Sequence, residues 1–122
     1  MRGESGIAFS MPGGDVSGRA GSRPVDMAHL ARHTMDDRAL EQEVLALFVQ
    51  QALSVRDEIL DADARERVLL AHALKGSARG IGAFAVAECA EAIEQQPEDA
   101  RALKKLGALI DEVRDFIASI SR

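Results

Sequence analysis

Tryptophan and tyrosine are absent from this 122-residue chain, and phenylalanine occurs only four times. A core must therefore be built from Leu, Ile, Val and Ala, as in small helical bundles. There are three prolines, and β-branched residues never gather into the alternating runs of a half-buried strand. The single cysteine, Cys89, cannot close an internal disulfide, so nothing in the composition asks for an oxidising compartment. No apolar run approaches the roughly 18 residues of a membrane span. The N-terminus lacks a signal-peptide core, its only apolar stretch being Ile7-Ala8-Phe9. A cytoplasmic location without membrane contact is expected. The net charge of −5 comes without a basic stripe, which argues against direct nucleic-acid binding.

What is present fits one globular domain: 47% hydrophobic and 29% charged residues, in a chain long enough for a single core. Residues 1–23 are rich in Gly, Ser and Arg and show no helical or strand period. They are expected to form a disordered tail before a domain over 24–122. Helical signals begin at Pro24. A short helix is expected over 27–33, and Thr34 with Asp37 reads as a capping box for a long helix over 36–60. In that helix Leu45, Phe48, Ala52, Val55 and Ile59 recur at spacings of three and four, with Leu40, Val44 and Leu47 widening the stripe. Asp63 and Glu66 suggest a second capping box, opening a helix that buries Leu70, Ala71, Leu74 and Ala78 and breaks at Gly80-Ile81-Gly82. A helix over 83–95 follows, with Ala83, Val86, Ala90 and Ile93 inward. The last helix places Glu98 and Asp99 in its first turn and shows a seam of Leu103, Leu106, Ile110, Val113, Ile117 and Ile120. Short connections imply antiparallel neighbours. The expected fold is all-α, an antiparallel up-down four-helix bundle with a short accessory N-terminal helix.

The chemistry concentrates between Ala71 and Ala83. At 100° per residue Ala71, Leu74 and Ala78 share one face, while His72, Lys75, Gly76 and Arg79 form another stripe. His72 is thus off the core, beside a cation and one turn before a residue with no side chain. A mid-helix glycine costs about 1 kcal/mol relative to alanine. Gly76 does not lie on the core face, so its use is room beside His72 for a bulky group or an approaching partner. A phosphoryl group on the imidazole fits that room, with Lys75 offering a charge-assisted contact to its oxygens.

His72-x-x-Lys75-Gly76-Ser77 followed by Gly82-Ala83 resembles the signature of the histidine-containing phosphotransfer family of bacterial two-component signalling, with similarity from about residue 25 to the end. The resemblance implies that His72 accepts a phosphoryl group from one receiver-domain aspartate and passes it to another. It makes Lys75 the phosphate-side cation and Gly76 the residue that gives access. A family position on the next helix, usually Gln or Glu, falls on Glu94, which would hydrogen-bond the unreactive imidazole nitrogen and fix the tautomer. A slip of register would give that role to Glu91. Val86 stands where the family commonly has Leu. The implied partners are receiver domains of a hybrid histidine kinase and of a response regulator. No cofactor is expected on this chain, and the Mg²⁺ would sit on the receiver. No Walker motif or glycine-rich nucleotide loop is present in the sequence, so the chain is expected to be a phosphoryl carrier, not an ATP-using enzyme.

His29 and His33 have the spacing of two metal ligands, but no HExxH glutamate or third ligand accompanies them, and no metal site is expected. Cys89, flanked by Ala87 and Ala90, reads as a buried small apolar residue. Val68 and Leu69 flank the His72 stripe and, with Arg79, are candidates for a partner-docking rim. For Arg79 the reading as a solvated basic residue outweighs one in which it aids phosphate binding. A monomer is expected. The alternative function is a helical-bundle adaptor that binds a kinase or receiver without being phosphorylated, against which the intact His72, Lys75 and Gly76 speak.

Overall fold

The computed structural model describes residues 23–121, and the expected tail over 1–23 lies, apart from Arg23, outside them. The described residues are all-helical: α1 (Met27–His33), α2 (Arg38–Ile59), α3 (Ala64–Ile81), α4 (Phe84–Gln95) and α5 (Ala100–Ile120). Aspartates start four of the five. Asp26, Asp37, Asp63 and Asp99 each accept a hydrogen bond from a first-turn amide, answering donors that the helix itself leaves unpaired.

Each long helix packs on its chain neighbours, α5 returns to α2, and α1 rests on α3. The pairs His72–Glu94 and Arg79–Glu91 climb α3 as they descend α4, so these two helices run in opposite directions. The core is the expected one in its main line. Leu45, Phe48, Ala52, Val55 and Ile59 of α2 meet Ala71, Leu74 and Ala78 of α3, Val86, Ala90 and Ile93 of α4, and Leu103 to Ile117 of α5 in one buried cluster.

Several expectations are corrected. Thr34 does not cap α2. It closes α1, where its buried hydroxyl donates to the Leu30 carbonyl at 3.0 Å, and Asp37 takes over the α2 cap. Between them Met35 and Asp36 adopt positive φ (53° and 62°), so a capping box beginning at Thr34 has no continuous backbone to close on. Leu40 and Leu47 are exposed, as is Ile120, because the buried stripe of each helix is narrower than its apolar content. Gly80 belongs to α3. Gly82, at φ +89°, ends the helix with its own amide on the Arg79 carbonyl and the Ala83 amide on that of Ala78. Glu98 precedes α5, and Asp99 is its cap.

One keystone had no sequence signal. Arg67 is only 16% exposed and donates to the carbonyls of Ile59, Leu60 and Pro97 at 2.9, 2.8 and 3.0 Å, tying the α2–α3 turn to the α4–α5 link.

Candidate functional site

His72 is the ninth of the 18 residues of α3. With Ala71, Leu74 and Ala78 fully buried, the helix is fixed in phase, and residue 72 must stand at its edge toward α4. The imidazole side chain is 70% exposed, and its Nδ1 lies 2.9 Å from Glu94 Oε2 on α4. The register between Ile93 and the α3 core places Glu94 there. Glu91, one turn earlier, pairs instead with Arg79 at 2.7 Å. The choice left open by counting along the helix therefore falls on Glu94.

The other oxygen of the same carboxylate, Oε1, lies 2.5 Å from Lys75 Nζ, as an ion pair. Both side chains are largely covered, Lys75 at 16% and Glu94 at 17% exposure. Contact with the Lys75 ammonium, then the hydrogen bond with His72, hold the Glu94 carboxyl below the usual carboxylate range. An ionised carboxylate only accepts hydrogen bonds, so the Nδ1 facing it carries the hydrogen. In the neutral ring the lone pair is then on Nε2, the nitrogen turned away from α4.

Beside the imidazole the surface is nearly bare. A Cβ added at Gly76 would meet no heavy atom within 4 Å, and the same is true at Gly80, one turn further. Ala73 is exposed between His72 and Gly76. Of the expected rim, Leu69 is exposed, Val68 is half-buried and Arg79 is exposed at 54% while bound to Glu91. Sequence reasoning missed Gly80 and Ala73 as parts of this smooth track. The recurrence of Gly76 and Gly80 four apart on one helix face was the signal available. It also missed that Lys75 is engaged by Glu94, for which a sequence carries no sign.

The remaining candidates lie elsewhere. His29 and His33 stack with ring centroids 4.1 Å apart, and His33 Nδ1 faces the His29 carbonyl. Among the described residues no three His, Cys, Asp or Glu side chains are grouped to hold a metal ion. Cys89 is buried with its Sγ donating to the Ala102 carbonyl at 3.3 Å, and burial pushes its thiol pKa up, which suits an unreactive packing residue. Among the described residues no helix is long and apolar enough to cross a membrane.

A helical bundle that presents an imidazole on the outside of a long helix, backed by a carboxylate and bordered by glycine, defines a surface histidine module. The family model for the Hpt domain matches residues 26–120, and the chain belongs to that family. Hpt domains are phosphocarrier modules of phosphorelays that meet receiver domains and histidine kinases. No curated protein and no solved structure matches the chain.

Proposed function

We propose that this chain relays a phosphoryl group between receiver-domain aspartates through His72, as a carrier in a two-component phosphorelay. The observation that carries the reading is the contact between His72 Nδ1 and Glu94, which leaves Nε2 as the nucleophile on a 70% exposed side chain. The Nε2 lone pair attacks the phosphorus of a receiver phosphoaspartate. The N–P bond forms as the P–O bond breaks, and the aspartate carboxylate leaves with the electron pair. Because Nδ1 keeps its hydrogen, the phosphorylated ring is cationic, and the Glu94 carboxylate stabilises that charge as it develops. The open surface over Gly76 admits the phosphoryl group and the receiver that brings it.

The partners in this reading are receiver domains of a hybrid histidine kinase and of a response regulator, met in the cytoplasm by a monomer. Leu69, Val68 and Arg79 form the rim they dock on. The metal ion that assists the transfer belongs to the receiver, and this chain brings no ATP site. The bundle is read as an antiparallel up-down four-helix arrangement with α1 as accessory, in keeping with the short links and the opposed run of α3 and α4.

Incubation with a phosphorylated receiver tests the reading. The chain should take up an acid-labile, base-stable phosphoryl group, and His72→Gln should take up none while keeping its helical spectrum. A stable complex formed without transfer would support the adaptor instead. Label retained by His72→Gln would place the carrier at another histidine.

A further inference from the structure

We propose that the groove between the C-terminal end of α2 and the first half of α3 receives a basic, amphipathic segment of the receiver that docks at His72, with an apolar residue on Leu69 and Leu70 and lysines or arginines against the carboxylates of Asp57, Glu58, Asp61 and Glu66. The inference rests on the phosphotransfer reading of His72 and adds to it the kind of receiver surface this chain selects.

The groove is open and holds about 540 Å³. Leu69 is 61% exposed and Leu70 is half-buried, so its floor offers aliphatic surface to an incoming side chain. An exposed leucine alone means little. This one is walled by acids from both sides, Asp57, Glu58 and Asp61 at the end of α2 and Glu66 on α3. Leu69 is also the residue one turn before His72. A protein seated over the imidazole therefore borders the groove.

Three of the four acids stand where their own helix disfavours them. Asp57 and Glu58 lie in the last turn of α2 and Asp61 just past it, at the negative end of the helix dipole, where cations are the favourable residues. Asp57 and Glu58 also precede Asp61 by four and three residues, a spacing at which like charges repel. Only Glu66, in the first turn of α3, is locally favoured. The arginines nearby are committed elsewhere. Arg56 stands 3.6 Å from Asp57 but is paired with Asp111 of α5, and Arg67 serves the carbonyls of Ile59, Leu60 and Pro97. Among the described residues no lysine or arginine pairs with Glu58, Asp61 or Glu66. A cationic partner segment would answer this negative potential, and an acidic one would be repelled, so the groove discriminates between receivers by charge. A bare cation fits less well. It would leave Leu69 and Leu70 in water, and these carboxylates are not grouped closely enough to hold a metal ion.

The test uses the full chain and two synthetic peptides: an amphipathic helix with a leucine stripe flanked by lysine and arginine, and the same helix with glutamate at every basic position. The basic peptide should bind, with amide shifts centred on residues 57–70, and the acidic one should not. Glu58→Gln combined with Asp61→Asn should weaken that binding about fivefold and flatten its salt dependence. The double variant should melt at or above the parent temperature, because two repelling charges have left the end of α2. Acids that served the fold would lower it. In uptake from a phosphorylated receiver, the same variant should raise the receiver concentration for half-maximal rate about fivefold. Equal binding of the two peptides, binding unchanged in the double variant, shifts centred elsewhere, or an unchanged receiver dependence would each overturn the proposal. So would shifts in the groove caused by Mg²⁺ or spermine when the basic peptide causes none. If the parent takes up no phosphate, the phosphotransfer reading fails, while the peptide titration still decides whether the groove takes a basic segment.

Discussion

Asp26 and Gly82 are locked to each other through their backbones: the Asp26 amide donates to the Gly82 carbonyl at 2.9 Å, and a Cβ at Gly82 would sit 2.8 Å from the Asp26 carbonyl oxygen. This contact seats the short α1 on the C-terminal end of α3, which carries the site. Gly82 also holds φ +89°, a region costly for any residue with a side chain. Gly82→Ala should therefore lose at least about 2 kcal/mol from backbone strain and the clash together. Gly80→Ala, two residues earlier in open space, should be neutral or stabilising by up to about 1 kcal/mol. Equilibrium denaturation of the two variants makes the comparison, and equal losses would contradict it.

Gly76 separates stability from transfer. With nothing within 4 Å of an added Cβ, Gly76→Ala should stabilise α3 slightly, by up to about 1 kcal/mol. Gly76→Gln should melt at or above the parent temperature yet accept phosphate about tenfold more slowly or worse, because its side chain crowds the approach to Nε2. Transfer by Gly76→Gln at the parent rate would remove the steric argument.

Glu94 sets an acid limit. Its folded pKa is depressed, first by Lys75 and then by His72, so its contribution to stability is complete above the ordinary glutamate range. That contribution is lost as pH falls through the lower, folded value. A ¹³C titration of the Glu94 carboxyl should give a midpoint below that of a free glutamate, and Lys75→Met should raise it. An unshifted midpoint in the parent would mean that the ion pair does not persist in solution.

Arg67, largely covered, should be the arginine most sensitive to exchange for lysine. Its planar head serves three carbonyls in two different loops, and a single ammonium cannot reach all of them. Arg67→Lys should cost about 1–3 kcal/mol through the carbonyls left unpaired. Thermal melts would check this, and a loss no larger than that of Arg65→Lys would sink it.

The buried stripes were legible because spacing alone places Leu45, Phe48, Ala52, Val55 and Ile59 on one side of a helix. His72 was legible for the complementary reason: it falls out of the Ala71–Leu74–Ala78 phase. The α1–α2 junction was not, since both Thr34 and Asp37 can cap, and the choice depends on two left-handed residues, Met35 and Asp36, with no glycine to announce them. Leu40 and Leu47 misled because apolar character does not state how wide a neighbour's cover will be. The sharing of Glu94 between His72 and Lys75 depends on the relative height of two helices, which only packing sets.

The central position of His72 in α3 has an electrical consequence. With a rise of about 1.5 Å per residue the imidazole stands roughly 12 Å from either end of the helix. The partial charges of a helix act within its first and last turns, and the amides near His72 are already committed to the helix ladder. In the proposed relay a phosphoryl group on Nε2 would therefore gain no cradle of backbone N–H groups, unlike a phosphate seated on a helix N-terminus. It would be held by one covalent bond on an exposed side chain, an arrangement suited to handing the group on rather than keeping it.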